Sequence, residues 1–318
     1  MASTIETAIG PVPASSLGFT LSHEHVLTFQ GNDLTHYPWM FNWPRMREVA
    51  IEELKALKAA GVDSIIALET PDLSRHAAFV VDVAKAANYP IVMATGIWRD
   101  VPRSFGVRDI DASADIFVRE ITVGIDDTGM KAGVIKVAND ENEFTLAHQN
   151  VLHAAARASN RTGCPISTHH WAVGKQGFDQ IKIFKEEDVQ MDRVCIGHSS
   201  DTDDVEYLEA MLNEGVYLSL DHYTLNPGTR RTWQQRNETV EELVRRGWAH
   251  RLMLGHDGHA TAAIPAGMND FPNKPGPRGS MTVVSKVAIP GLLADGVTQA
   301  QIDQMTVDAP RTFLSGEA

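Results

Sequence analysis

Phe19-Thr20-Leu21-Ser22-His23-Glu24-His25 is a short apolar run that ends in two histidines with one residue between them. Successive side chains on a strand point to opposite faces. His23 and His25 therefore face one way and Glu24 the other. Phe19–Ser22 reads as the first of eight such runs. The others are Ser64–Leu68, Ile91–Thr95, Gly133–Val137, Pro165–Thr168, Val194–Ile196, Val216–Leu220 and Leu252–Leu254. All are short and β-branched or Leu-rich, as strands covered on both faces should be.

Helical patterns fill the gaps. Met46, Ala50, Leu54 and Leu57 share one helical face, and Gly61 ends that helix. Thr145 is placed to cap a helix running towards Arg161, with Gly163 as its stop. Asp203 and Asp204 open another that ends at Gly215, and a further one runs from Asn237 to Gly247. Strand and helix alternate, which is the pattern of βα units around a parallel sheet. A doubly wound sheet usually carries a glycine-rich phosphate loop, and none is found. Eight units predict an α/β fold, a single (β/α)8 TIM barrel over residues 1–318. The turn-rich stretch 264–280 follows the eighth run and is expected on the catalytic face, able to cover a site.

Composition narrows the function. The 318 residues carry a net charge of −13, which argues against a nucleic-acid partner. No apolar run is long enough for a membrane span. The first eight residues lack the basic and apolar regions of a secretory signal. Cys164 and Cys195 read as reduced thiols packed between strands five and six, and the expected location is cytoplasmic. The chain holds 13 histidines, the commonest metal ligands.

In a barrel of this kind the site lies at the C-terminal ends of the strands. Run one ends in His23 and His25, run five in His169, run six in His198 and run eight in Asp257, while run four contains Lys136. These ligand types suit zinc, cobalt, manganese or iron. Lys136 is the odd member. Burial in an apolar strand lowers a lysine's pKa, and a neutral amine can capture carbon dioxide as a carbamate. That bidentate anion can bridge two cations. Taken singly, each residue has a plain reading: a packed core histidine, an ion-paired lysine, a capping aspartate. Their coincidence at five strand ends points to metal. Alternation turns His170 and His256 away from the site, and His259 is left open. Asp221 caps the next segment or has a role at the mouth. Arg230-Arg231 and Arg245-Arg246 read as solvated helix faces. Trp39 and Trp43 belong to an aromatic-rich loop, placed either at a subunit contact or in the pocket.

The motifs Ser22-His23-Glu24-His25, Ala94-Thr95-Gly96-Ile97-Trp98, Gly133-Val134-Ile135-Lys136-Val137, Pro165-Ile166-Ser167-Thr168-His169, the run from Arg193 through His198 to Asp204, and Asp257 carry a further likeness. Over nearly its whole length the chain resembles the phosphotriesterase family of the amidohydrolase superfamily, including its lactonases. The resemblance implies a binuclear centre, with zinc the first choice of metal. His23, His25 and Asp257 would hold the buried ion, His169 and His198 the exposed one, with carbamylated Lys136 and a hydroxide between them. It also implies a homodimer. The hydroxide would attack a carbonyl carbon or phosphorus, and Asp257, His222 and Asp201 would carry the proton away. Trp98, Arg99 and Tyr223 would contact a neutral, hydrophobic ester or lactone.

Trp98 and His222 resemble the phosphotriesterases. The short segment after run seven and residues 235–239 resemble the lactonases. The expected function is a lactone or carboxyl-ester hydrolase with some phosphotriesterase activity. A dedicated organophosphate triesterase (aryldialkylphosphatase) is the alternative, and a non-catalytic ligand-binding barrel a third. A phosphate-recognising sugar-lactone hydrolase would need further basic groups, for which Arg99 and Lys175 are the candidates.

Overall fold

The computed structural model describes residues 3–29, 32–141, 144–228, 230–268 and 281–317. Eight parallel strands follow one another around the sheet: Thr20–His25, Ser64–Ala67, Ile91–Gly96, Val134–Ala138, Ile166–His169, Val194–Ile196, Tyr217–Leu220 and Leu252–Leu254. The first runs three residues past its expected end at Ser22, because His23 and His25 stay in register with the sheet instead of leaving it. A short extra strand, Gly258–His259, pairs with Glu24 and His25 of strand one. It lies just beyond strand eight in the chain, so one segment occupies both ends of the strand order and the sheet closes into a barrel. Ser22 Oγ donates to the Leu254 carbonyl at 3.0 Å across the seam.

Period-two alternation divides the apolar residues into two cores. Ile66, Leu68, Val92, Ala94, Val134 and Met253 fill the barrel interior, while Ile65, Ala67, Ile91, Met93 and Ile135 face the helices outside. Ile5 and Leu17 near the N-terminus, with Phe313 and Leu314 of the last helix, join the inner core and plug the lower end. That plug leaves the C-terminal strand ends as the open mouth. Among the described residues no helix is long and apolar enough to cross a membrane.

The helices form where their faces and caps direct. Trp43–Ala59 buries Met46, Ala50, Leu54 and Leu57, and the Asn42 side chain caps its start. Thr145 and His148 form a capping box on Leu146–Thr162, and Gly163 ends the helix in the left-handed conformation. Asp204 caps Val205–Asn213. The helix expected from Asn237 begins at Trp233, because Thr232 and Gln235 make a capping box there. Of the stretch 264–280, residues 269–280 lie outside the described residues. Its start is seated by the bond from Asn42 N to the Ile264 carbonyl, 2.7 Å.

The cysteines are not neighbours between two strands: Cys195 belongs to the inner core and Cys164 to the outer one. Burial pushes the Cys164 thiol up to about 12 and raises that of Cys195 as well. An unfolded chain ionises its thiols near pH ~8.5 and the folded one does not. This contribution to stability is complete below that pH and is lost as pH rises towards the folded value. A disulfide reagent at pH 8 is therefore expected to find no reactive thiol in native protein and two after denaturation. The urea midpoint is expected to be lower at pH 10 than at pH 8.

Candidate metal centre

The strand ends bring the expected residues together. His23, His25, Lys136, His169, His198, Asp201, His222 and Asp257 all line one cavity of about 640 Å³ at the barrel mouth. Glu24, facing away, accepts from His256 N at 2.8 Å, His256 Nδ1 at 2.6 Å and Gly258 N at 3.0 Å. It thereby latches the segment carrying Asp257 onto strand one. His256 turns outward as expected and its Nε2 accepts from Val284 N. His170 is buried, with Nδ1 on the Gly197 carbonyl, and its edge reaches the lining. His259 stacks on His25 with centroids 5.1 Å apart.

Three site residues bend the backbone sharply as it leaves the sheet. His198, His222 and Asp257 have φ of 59°, 63° and 51°. Each left-handed non-glycine residue costs about 1–2 kcal/mol, and such strain gathers at functional sites. Gly96, at the end of strand three, has φ of 113°, and a Cβ there would lie 2.0 Å from the Lys136 carbonyl oxygen. Only glycine lets strand three approach strand four so closely beside Lys136.

The donor atoms converge. His25 Nε2 lies 2.9 Å and His23 Nε2 3.8 Å from Asp257 Oδ1. Lys136 Nζ lies 3.4 Å from His23 Nε2. The His169 and His198 rings are 4.3 Å apart. His23, His25 and Asp257 form one potential ligand triad, with ligand atoms within 4.8 Å of one another.

Asp221 organises two of these ligands. Its carboxylate accepts from His23 Nδ1 and from His198 Nδ1, both at 2.8 Å, and also from His198 N at 3.1 Å. With Nδ1 carrying the proton on both rings, both Nε2 lone pairs are free to bind metal. Glu69, also buried, faces His25 Nδ1 at 3.9 Å. Neither that nitrogen nor Glu69 Oε2 has a hydrogen-bond partner among the described residues.

The electrostatics suit metal ligation. Burial lowers His23 to about 4 and His198 to about 3, so both rings are neutral at neutral pH. Burial also lowers Lys136 to about 8. Neutral imidazoles, a carboxylate and an accessible amine are the forms that divalent cations and carbon dioxide need. The His/Asp cluster fits a divalent metal ion.

A hydrogen-bonded line leads outward from the cluster. Asp257 Oδ2 is 2.9 Å from His222 Nε2, and His222 Nδ1 is 2.9 Å from Asp201 Oδ2. Burial opposes the charged form of His222, but Asp201 and Asp257 outweigh it and raise the pKa. Buried Arg236 holds the far end, with Nη1 on Asp201 Oδ1 at 2.8 Å.

Several expectations need correction. Tyr223 does not face the mouth: it is buried, and its hydroxyl donates to Asn237 Oδ1 at 2.9 Å. It follows His222 directly, and the chain turns its side chain towards the outer helix. Arg230 and Arg231 are not solvated helix residues, since both precede the helix and line the cavity. Lys175 pairs with Asp204 away from the cavity. Trp39 is 70% exposed, Trp43 packs on His76 and Phe79, and neither lines the cavity. Trp98 and Arg99 do line it. Trp98 meets His169 edge to face, and Arg99 Nη1 pairs with Asp140 Oδ2 at 2.7 Å. Asp140, absent from the sequence reading, is also 3.1 Å from His169 Nε2.

A family model described as the phosphotriesterase family matches residues 3–314. The chain belongs to the phosphotriesterase family. This phosphotriesterase-family protein is 38% identical to a phosphotriesterase homology protein of Mycobacterium tuberculosis, over 98% of this chain and 97% of that one. It is 33% identical to an aryldialkylphosphatase of Saccharolobus solfataricus, over 96% of this chain and 97% of the other. A solved structure of the phosphotriesterase from M. tuberculosis superposes with a TM-score of 0.87 at 36% identity, covering 98% of each chain. Membership places the protein in a metal-dependent family acting on small-molecule esters.

Proposed function

We propose that this protein is a binuclear-metal hydrolase of lactones or carboxyl esters, with phosphotriester hydrolysis as a side activity. His23, His25 and Asp257 would hold one ion, His169 and His198 the second, and carbamylated Lys136 both. When bound, the two ions, zinc foremost, supply an acidified water and a polarised ester oxygen.

The observation that carries this reading is the line from Asp257 through His222 to Asp201. An alkoxide leaving a lactone or alkyl ester must be protonated, whereas an activated aryl oxide leaves without help. A built proton path therefore serves the first reaction most. Asp257 takes the attacking water's proton at Oδ2, shares it with His222 Nε2 and returns it to the leaving alkoxide, while Asp201 keeps the ring oriented through Nδ1. Trp98, held by the bond from its N–H to Asp72 Oδ1 at 3.0 Å, offers an apolar wall to the substrate.

Trp98 and His222 at the mouth support the second reading, a dedicated organophosphate triesterase. The test compares kcat/KM for an alkyl-substituted lactone and a neutral diethyl aryl phosphotriester, using protein loaded with divalent metal and bicarbonate. The lactone is expected to lead by about 10²-fold or more, and Asp201→Asn to lower lactone turnover by about 10²-fold with a smaller effect on the phosphotriester. A phosphotriester lead of similar size would establish the second reading. Background rates for both would remove both substrate classes.

A further inference from the structure

The cavity mouth carries arginines that are not paired to carboxylates among the described residues, in a chain of net charge −13. Three arginines line it, with three aspartates and Lys136. Each aspartate already has a partner within the protein. Asp140 is held by Arg99, Asp201 by Arg236 and His222, and Asp257 by His25 and His222. Arg231 meets only neutral acceptors: its Nη1 donates to the carbonyls of Ser200 and Thr202, and its Nη2 to the Gln235 carbonyl and Thr239 Oγ1. Arg230 has even less. Its guanidinium lies 3.4 Å from His222 Nε2, and no carboxylate among the described residues pairs with it.

Two guanidinium groups therefore stand at the mouth with no carboxylate hydrogen-bonded to either among the described residues. Arg231 is immobilised by four hydrogen bonds, whereas Arg230 is exposed and has its donors available. A guanidinium remains protonated throughout the working pH range and offers a planar fork matched to an oxyanion. Its neighbour His222 is bonded to Asp257, so a group bound by Arg230 sits beside the proposed ligands rather than at a remote surface.

We propose that Arg230 receives an oxyanion on the substrate, a carboxylate or a phosphate monoester carried a few bonds from the scissile ester. Arg231 supports it through charge. This deepens the lactone and ester reading and rests on it, but it replaces the neutral substrate expected from sequence with a negatively charged one. Trp98 and the apolar side of the cavity remain for the carbon skeleton.

The test uses three γ-lactones on metal-loaded protein: one whose side chain ends in a carboxylate, the methyl ester of that compound, and one bearing a phosphate monoester. At least one charged lactone is expected to exceed the methyl ester in kcat/KM by about 10-fold or more. Arg230→Gln is expected to lower that ratio by about 10- to 100-fold, mainly through KM, with Arg230→Lys recovering part of it. The two charged compounds tell carboxylate from phosphate. A preference for the methyl ester, or a ratio unchanged in Arg230→Gln, overturns the proposal. If no lactone is turned over, calorimetry with the same compounds decides. Charged ligands that lose about 10-fold or more in affinity in Arg230→Gln keep the anion site while the hydrolase reading falls. Equal affinity for both proteins removes the anion site too.

Discussion

Lys136→Met protein is expected to lose about 10³-fold in kcat/KM and to hold fewer than two ions per chain. Lys136 is buried on strand four, and its Nζ is 3.4 Å from His23 Nε2. Methionine fills a similar volume without a charge, so no large cavity opens and no amine remains to be desolvated. The metal-free variant should unfold at or above the wild-type temperature, which separates loss of function from loss of fold. Bicarbonate supplies the second arm. Wild-type protein reconstituted with metal should gain activity as bicarbonate rises, because burial lowers the Lys136 amine to about 8 and eases formation of its neutral form. The variant should be indifferent. Two tightly bound ions in Lys136→Met, with no bicarbonate effect on the wild type, would refute the bridging role.

Asp221→Asn should weaken metal affinity about 10- to 100-fold, the usual range for an outer partner of ligating histidines. The effect should reach both ions, because one carboxylate orients His23 and His198, assigned to different ions. Asparagine presents one acceptor and one donor in place of two acceptors. One of the two rings must then move its proton to Nε2, the nitrogen needed for metal. Competition with a chelator would read this directly, and kcat of the fully loaded variant should suffer much less. A variant losing one ion while retaining the other at full affinity would show that Asp221 serves a single ligand.

The barrel and the shared face of His23 and His25 were legible because both depend on period two, whereas His198 and Asp257 leave the sheet on left-handed residues and only their place beyond a strand end could be read. His23 and His25 share a face whatever follows them, and an apolar run ending in a histidine looks the same in isolation as in the fold. Asp201 and His222 were legible through the family likeness rather than through spacing. Arg230, Arg231 and Tyr223 were misplaced for a physical reason. They sit in a connection with no repeating pattern, where direction depends on local turns. The left-handed backbone at His222 decides which way Tyr223 points, and nothing in the composition of Leu-Asp-His-Tyr announces it. Asp140 was missed likewise: it lies beyond the end of strand four, and its partners Arg99 and His169 come from other strand ends.

The left-handed residues at positions 198, 222 and 257 also bear on how this enzyme can be made more heat-resistant. Glycine or asparagine would relieve the backbone at each position, so a search guided by stability alone would be drawn to them. Each relief would remove a proposed ligand or a proton carrier. Hardening the protein against heat has freer scope at the opposite end of the barrel, where Leu17 and Phe313 close the inner core and no proposed site residue lies. Reactivity and fragility share one rim, and durability can be evolved from the other.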